Sequence, residues 1–255
     1  MSLHLVRIGI APRDLAIFAA ERRLSDDDAG YALHAALAAR FGDAAPRPFR
    51  YLPDHARGPH LLGYVGDPAA LDEAAALPPT EGLLADLFGM PQSQAMPETW
   101  REGARYGFDV RVRPVVRFGK SVRAARADRP DAWQGRAGEI DAYVRACERV
   151  AAEGGDTRTV DRETVYTAWL ARRLEGAATL DDATLRMFQR SRTRRSTHAA
   201  KGARTHSVEG PDAVMTGTLT VTDPQGFAKL LSGGVGRHAA FGFGMLLLSP
   251  PGRAG

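Results

Sequence analysis

Tyr31 and His34 lie three residues apart in the segment GYALHAAL, a spacing that sets two side chains side by side on one face of a helix. An imidazole, with an ordinary pKa of about 6.5, takes or gives a proton near neutrality, and a neighbouring phenol can orient a reacting group or donate a hydrogen bond. By themselves the two residues read first as a satisfied boundary pair, because a histidine beside a tyrosine is common without any chemistry. Proton transfer at a phosphate would also need cations to hold the developing charge. Of the 34 lysines and arginines only Lys120, Lys201 and Lys229 are lysines, and the net charge is +4. Arginine's planar fork matches phosphate, although a GC-rich genome would give the same bias.

Distribution says more than the total. Residues 110–127 carry Arg111, Arg113, Arg117, Lys120, Arg123 and Arg126 with no acid, in a chain that holds 30 acidic residues. Residues 183–208 carry Arg186, Arg190, Arg192, Arg194, Arg195, Lys201 and Arg204, again with no acid. One charge run is usually a solvated face, whereas two acid-free runs favour a polyanionic partner. The second run lacks apolar periodicity, which predicts a loop or hairpin with its cations free to reach a ligand.

A second candidate is the stretch SGGVGRHAAFGFGMLLLS at 232–249. Asp223 and Pro224 open a helix that Gly233 and Gly234 stop, and Met245 to Leu248 form a short apolar strand. Gly236, Arg237, His238, Gly242 and Gly244 lie between them. Helix, glycines, strand is the reverse of the order that places a nucleotide phosphate at a helix N-terminus, so nucleotide-cofactor binding is discarded. A loop of backbone N–H groups with one or two cations suits a polyanion backbone, and equally a plain connector.

Other chemistry is poorly supplied. Cys147 is the only cysteine and falls in an apolar helical stripe, which removes disulfides and thiolate metal sites. His55 and His60 lack a third ligand at a recognisable spacing, and His198 and His206 read as incidental. No metal site or cofactor is expected. No apolar run reaches the roughly 18 residues of a membrane span, and Arg7 interrupts the apolar start where a signal peptide would run, so a cytoplasmic protein is expected.

The scaffold for these residues is mixed. Alternation at 3–11 predicts a strand. Asp26 to Asp28 cap a long helix whose apolar line is Leu33, Leu37 and Phe41, with Tyr31 and His34 beside that line. Strands at 48–53 and 60–65 and a short alanine-rich helix after Asp67 complete most of a ferredoxin-like unit. Residues 78–97 read as a linker holding one short helix. Beyond it a strand is predicted at 106–118, a loop at 124–138, helices at 136–153 and 161–175, and a strand at 214–222. The expectation is an α+β chain with domains at 1–95 and 96–255.

The stretch GVGRHAAFGFGMLLL closely resembles the C-terminal glycine-rich signature of the RAMP superfamily of RNA-binding proteins, in the form found in the CasE family. GYALHAAL resembles that family's tyrosine and histidine helix, onto which Tyr31 and His34 map residue by residue. The resemblance spans nearly the whole chain and is weakest over 66–94. It implies two tandem ferredoxin-like domains and metal-independent cleavage of CRISPR repeat RNA beside its hairpin, by attack of a ribose 2′-OH on the adjacent phosphate. It also implies that the processed hairpin is retained within a type I-E Cascade complex, whose other subunits are then partners. On that reading His34 and Tyr31 are catalytic, with Lys201 and Arg204 as charge-stabilising candidates. Arg111, Arg113, Arg117, Lys120, Arg192, Arg194, Arg195, Gly234, Gly236, Arg237, His238, Gly242 and Gly244 hold RNA. The alternative is a subunit of the same kind of complex that binds RNA without chemistry, and a general RNA-binding protein would leave both terminal motifs as accidents.

Overall fold

The computed structural model describes residues 2–24, 29–118, 138–199 and 202–251, with side chains except at 118, 193–199 and 202–208. The N-terminal half runs β1 (His4–Gly9), α1 (Pro12–Glu21), α2 (Ala29–Phe41), β2 (Phe49–Leu52), β3 (His60–Val65), α3 (Pro68–Ala76) and β4 (Gln92–Ala95). The strands form one antiparallel sheet in the order β2-β3-β1-β4, which is the ferredoxin-like arrangement. Period-two alternation on β1 turns Val6 and Ile8 inward, where they meet Phe18 of α1 and Leu33 and Leu37 of α2. Asp67 caps α3 by accepting from the Ala70 N–H at 3.1 Å. The proposed caps at Asp26 to Asp28 lie outside the described residues.

Two elements depart from expectation. Helix α1 was not anticipated, although Pro12 stands in its first turn and Leu15, Phe18 and Ala19 form its buried face. Strand β4 occupies part of the expected linker and closes the first sheet against β1. Its sequence, QSQA, is exposed at every position because it is an edge strand with no apolar face.

The C-terminal half runs β5 (Arg105–Val112), β6 (Val115–Phe118), β7 (Gly138–Asp141), α4 (Ala142–Ala152), α5 (Arg162–Leu174), β8 (Ala178–Ala199), β9 (Gly202–Val221), α6 (Pro224–Gly233) and β10 (Leu246–Ser249). The order β10-β5-β9-β8 repeats the first sheet's connectivity, so the chain is α+β with two ferredoxin-like domains in tandem. The strand expected at 106–118 breaks at Pro114, which has no N–H for a ladder, and continues as β6 in a separate two-stranded ribbon with β7. The helix expected from 136 begins only at Ala142, after Asp141 caps it by accepting from the Tyr143 N–H at 2.8 Å. Val110, Met215, Leu219, Trp169, Leu170 and Phe227 fill the second core.

Residues 183–199 and 202–208 pair as the two arms of a long hairpin, one of the two forms expected for this segment. The β8–β9 ladder runs from Ala178↔Val221 to Ala199↔Gly202, whereas β5 accompanies β9 only as far as Ala213. Past Phe188, the partner of Ala213, the two strands continue without a third strand for roughly 35 Å at ~3.3 Å per residue, with Ser191, Pro211 and Asp212 still held to the body by Arg111 and Arg113. The two halves are joined by side chains of the first reaching the second. Tyr64 Oη donates to the Leu246 carbonyl at 2.9 Å, and Arg50 Nη2 stands 3.4 Å from Asp109 Oδ1. Among the described residues no helix is long and apolar enough to cross a membrane.

Candidate active site

Helix α2 buries Ala32, Leu33, Ala36 and Leu37, which leaves Tyr31 and His34 half-buried at the margin of the first domain. Their ring centroids are 6.5 Å apart. Phe241, from the second domain, stacks on Tyr31 at 5.8 Å and 14° and meets His34 edge-on at 5.0 Å and 70°. Burial, and secondarily the Arg47 guanidinium, hold the His34 pKa below the ordinary imidazole range. His34 is therefore neutral near pH 7 and suited to accept a proton.

Arg47 carries no signal in the sequence, because it lies outside both cation runs and has no helical spacing to His34. The chain brings it there by leaving α2 through a turn at Gly42–Ala44. Arg47 is exposed between buried Pro46 and Pro48, and its N–H donates to the Tyr64 carbonyl at 3.0 Å. It is a cation within electrostatic reach of the imidazole that sequence reasoning missed.

The glycine loop is built differently from the anion cradle expected. Gly234, Gly236, Gly242 and Gly244 all have φ between +78° and +81°, but they face the protein itself. A Cβ at Gly244 would lie 2.5 Å from the Val235 carbonyl, and one at Gly236 would lie 2.9 Å from the Trp169 ring. The loop amides of Val235 and Gly244 donate to the carbonyls of Gly244 and Arg111, at 2.7 and 2.6 Å. Both side chains converge on Glu139 of β7: Arg237 Nε is 2.8 Å from Oε1, and His238 Nε2 is 3.1 Å from Oε2. The His238 side chain is 1% exposed and its backbone is left-handed at φ 71°. His238 is thus a packed residue of the loop, and only Arg237 of the pair keeps an outward edge.

The first cation run also divides. Arg111 grips Asp212 with two bonds, Nε at 2.8 Å and Nη2 at 2.5 Å, while Gln189 donates to the same carboxylate. Arg113 is 2% exposed and donates to the carbonyls of Pro211 and Ser191 at 3.3 and 2.6 Å. Both guanidiniums lie over Phe243. Expected as phosphate ligands, Arg111 and Arg113 instead pin the base of the hairpin to β5. Arg117 is exposed on β6 opposite Glu139, and Arg192 is exposed on β8. Arg194, Arg195 and Arg204 lie on the projecting strands, described there by backbone alone, and Lys120 and Lys201 fall outside the described residues. His55 and His60 pack ring to ring at 4.7 Å, and no group of metal-ligating side chains assembles among the described residues.

A family model described as CRISPR associated protein matches residues 3–250. The chain belongs to this family of CRISPR-associated proteins. No curated protein matches it by sequence. Its fold is that of the CRISPR endoribonuclease Cse3 bound to a 19-nucleotide RNA, at 20% identity and a TM-score of 0.58 over 98% of this chain and 100% of that one. Cas6e from Escherichia coli is similar at 18% identity and a TM-score of 0.56, covering 97% of this chain and 99% of that one. A chain of a CRISPR RNA-guided surveillance complex is similar at 16% identity and a TM-score of 0.54, over 97% and 99%.

In this CRISPR-associated protein the two motifs most distant in sequence meet. Tyr31 and His34 come from the first ferredoxin-like domain, and Phe241 comes from the glycine loop of the second. Strand β8 of the hairpin also touches α2.

Proposed function

We propose that this CRISPR-associated protein is a metal-independent endoribonuclease that cleaves CRISPR repeat RNA beside its hairpin and stays on the product as a subunit of a Cascade-type complex. The observation that carries the reading is a half-buried His34, its pKa lowered by burial and by the Arg47 cation, next to Tyr31 where the two ferredoxin-like domains meet. The likeness to RNA-bound Cse3 and to a chain of a surveillance complex supports RNA as substrate and the complex as partner.

In the proposed reaction His34 takes the ribose 2′-OH proton and the 2′ oxygen attacks the adjacent phosphorus. The bond to the 5′ oxygen breaks, and that oxygen collects a proton from solvent or from Tyr31. Charge building on the phosphoryl oxygens falls to Arg47, with Lys201 and Arg204 as further candidates. RNA lies across both domains, taken as 1–95 and 96–255. Arg117, Arg192, Arg194, Arg195 and Arg237 grip phosphates, because an A-form duplex presents shape and backbone rather than a readable major groove. Gly234, Gly236, Gly242 and Gly244 contribute by shaping the loop.

The test is incubation with the repeat RNA of the same locus in excess chelator, beside the same RNA carrying one 2′-deoxy nucleotide before the scissile phosphate. Cleavage of the first and none of the second is expected. Chelator-sensitive cleavage would refute the mechanism, and tight binding without cleavage would make the protein a structural subunit.

A further inference from the structure

The glycine loop spends its backbone freedom on the protein's own atoms, and the result is one aromatic ring held against α2. Glu139 fixes the loop from one side through Arg237 and His238. His238, left-handed at φ 71°, begins the turn Ala239–Phe241, and its carbonyl accepts from the Phe241 N–H at 2.8 Å. Gly242, at φ 81°, ends that turn where a Cβ would stand 3.3 Å from the Phe49 ring. Between these fixed points the Phe241 ring meets Tyr31 face to face and His34 edge to face. Ring pairs with centroids 4.5–7 Å apart hold each other's orientation as well as burying area.

We infer that Phe241 is a positioning residue, which sets the orientation of His34 and Tyr31, and that the glycine loop clamped by Glu139 serves to hold it there. The inference rests on the proposed cleavage reaction for its consequence, though not for its geometry. A general base must lie within hydrogen-bond reach of the proton it takes, so a ring that fixes His34 governs the rate without touching RNA.

The first measurement needs no RNA. In free protein with labelled histidine rings, the His34 signals, identified by their absence in His34→Ala, should shift in Phe241→Ala and in Phe241→Leu, which removes the flat ring but keeps the bulk. They should stay close to wild type in Phe241→Tyr. The second is single-turnover cleavage with hairpin affinity measured on the same RNA. Phe241→Ala should cut the rate by about 10²-fold, the scale of a 1 Å misplacement, with affinity within about twofold. Phe241→Leu should fall between and Phe241→Tyr should restore most of the rate. If Phe241→Ala is poorly folded, the comparison of Leu with Tyr decides. Unmoved His34 signals would overturn the inference, as would full-rate cleavage by a Phe241→Ala protein whose His34→Ala counterpart is inactive. Affinity lost in step with rate would make Phe241 an RNA contact instead. Should wild type fail to cleave, the cleavage reading falls and the histidine signals still decide the positioning.

Discussion

At the scale of single residues, His34 sets how the proposed chemistry depends on pH. Burial disfavours its charged form, and the Arg47 cation disfavours it further, so both act toward the neutral base. The cleavage rate should therefore be level above about pH 6.5, the ordinary imidazole value, and fall only in more acidic solution. Arg47→Gln removes the secondary cause and should carry that fall to higher pH. A pH series of single-turnover rates checks both, and a wild-type rate that keeps climbing through pH 8 would deny His34 the role of base. His34→Ala should lower the rate by about 10²-fold or more, since positioned acid-base groups contribute roughly 10²–10⁴. Hairpin affinity should hardly change, because a neutral histidine adds little to a grip made by arginines. Tyr31→Phe should cost less, the ring contact with Phe241 being kept. Rate and affinity that fell together in His34→Ala would identify a binding residue.

At the scale of elements, the glycine loop and the hairpin carry separate predictions. Gly244→Ala must hold a left-handed backbone, at about 1–2 kcal/mol, and crowd the Val235 carbonyl, at a further ~1–3 kcal/mol of overpacking. Chemical denaturation should show that loss, and an unchanged midpoint would mean the loop is free to relax. Joint removal of Arg192, Arg194 and Arg195 should weaken RNA binding and flatten its dependence on salt, whereas an unchanged salt slope would return them to an ordinary solvated face. How much of this was legible depended on where each partner sits in the chain. The strand at His4–Gly9 and the helix Ala29–Phe41 were readable because their apolar periodicity is local. Strand β4 was not, since QSQA at a sheet edge has no apolar face to betray it. Arg111 looked available within an acid-free run because Asp212 stands 101 residues away and arrives only through strand pairing. Glu139 was invisible for the same reason, its partners Arg237 and His238 being joined to it by the fold alone. Tyr31 and His34 were visible as neighbours by helical spacing, but the ring that touches both belongs to the other domain.

At the scale of the whole molecule, the proposed site depends on two domains keeping one mutual position. Tyr64 is a principal fixture, 2% exposed, with its hydroxyl on the carbonyl of fully buried Leu246. Tyr64→Phe leaves that carbonyl without its donor and should cost about 1–3 kcal/mol, read as a lowered unfolding midpoint. Cleavage should fall as well, because Phe241 and α2 lie on opposite sides of the same junction. A variant as stable and as active as wild type would show that other contacts fix the junction. The projecting hairpin has a consequence between molecules. Strand β8 is an edge strand from Ala178 to Ala199, and beyond Ala213 β9 too lacks a strand on its other side, although Gly210 to Asp212 are still buried against Arg113. Beyond that anchored base the two strand edges have no strand partner, and such edges invite a second copy to add itself as a neighbouring strand, a route to self-association that charged edge residues block by repulsion. Arg192, Arg194 and Arg195 would then guard solubility as well as grip phosphate. Replacing all three by lysine separates the duties: the protein should associate with itself no more than wild type, because the charge remains, yet bind RNA more weakly, because a lysine is a point charge without the arginine fork.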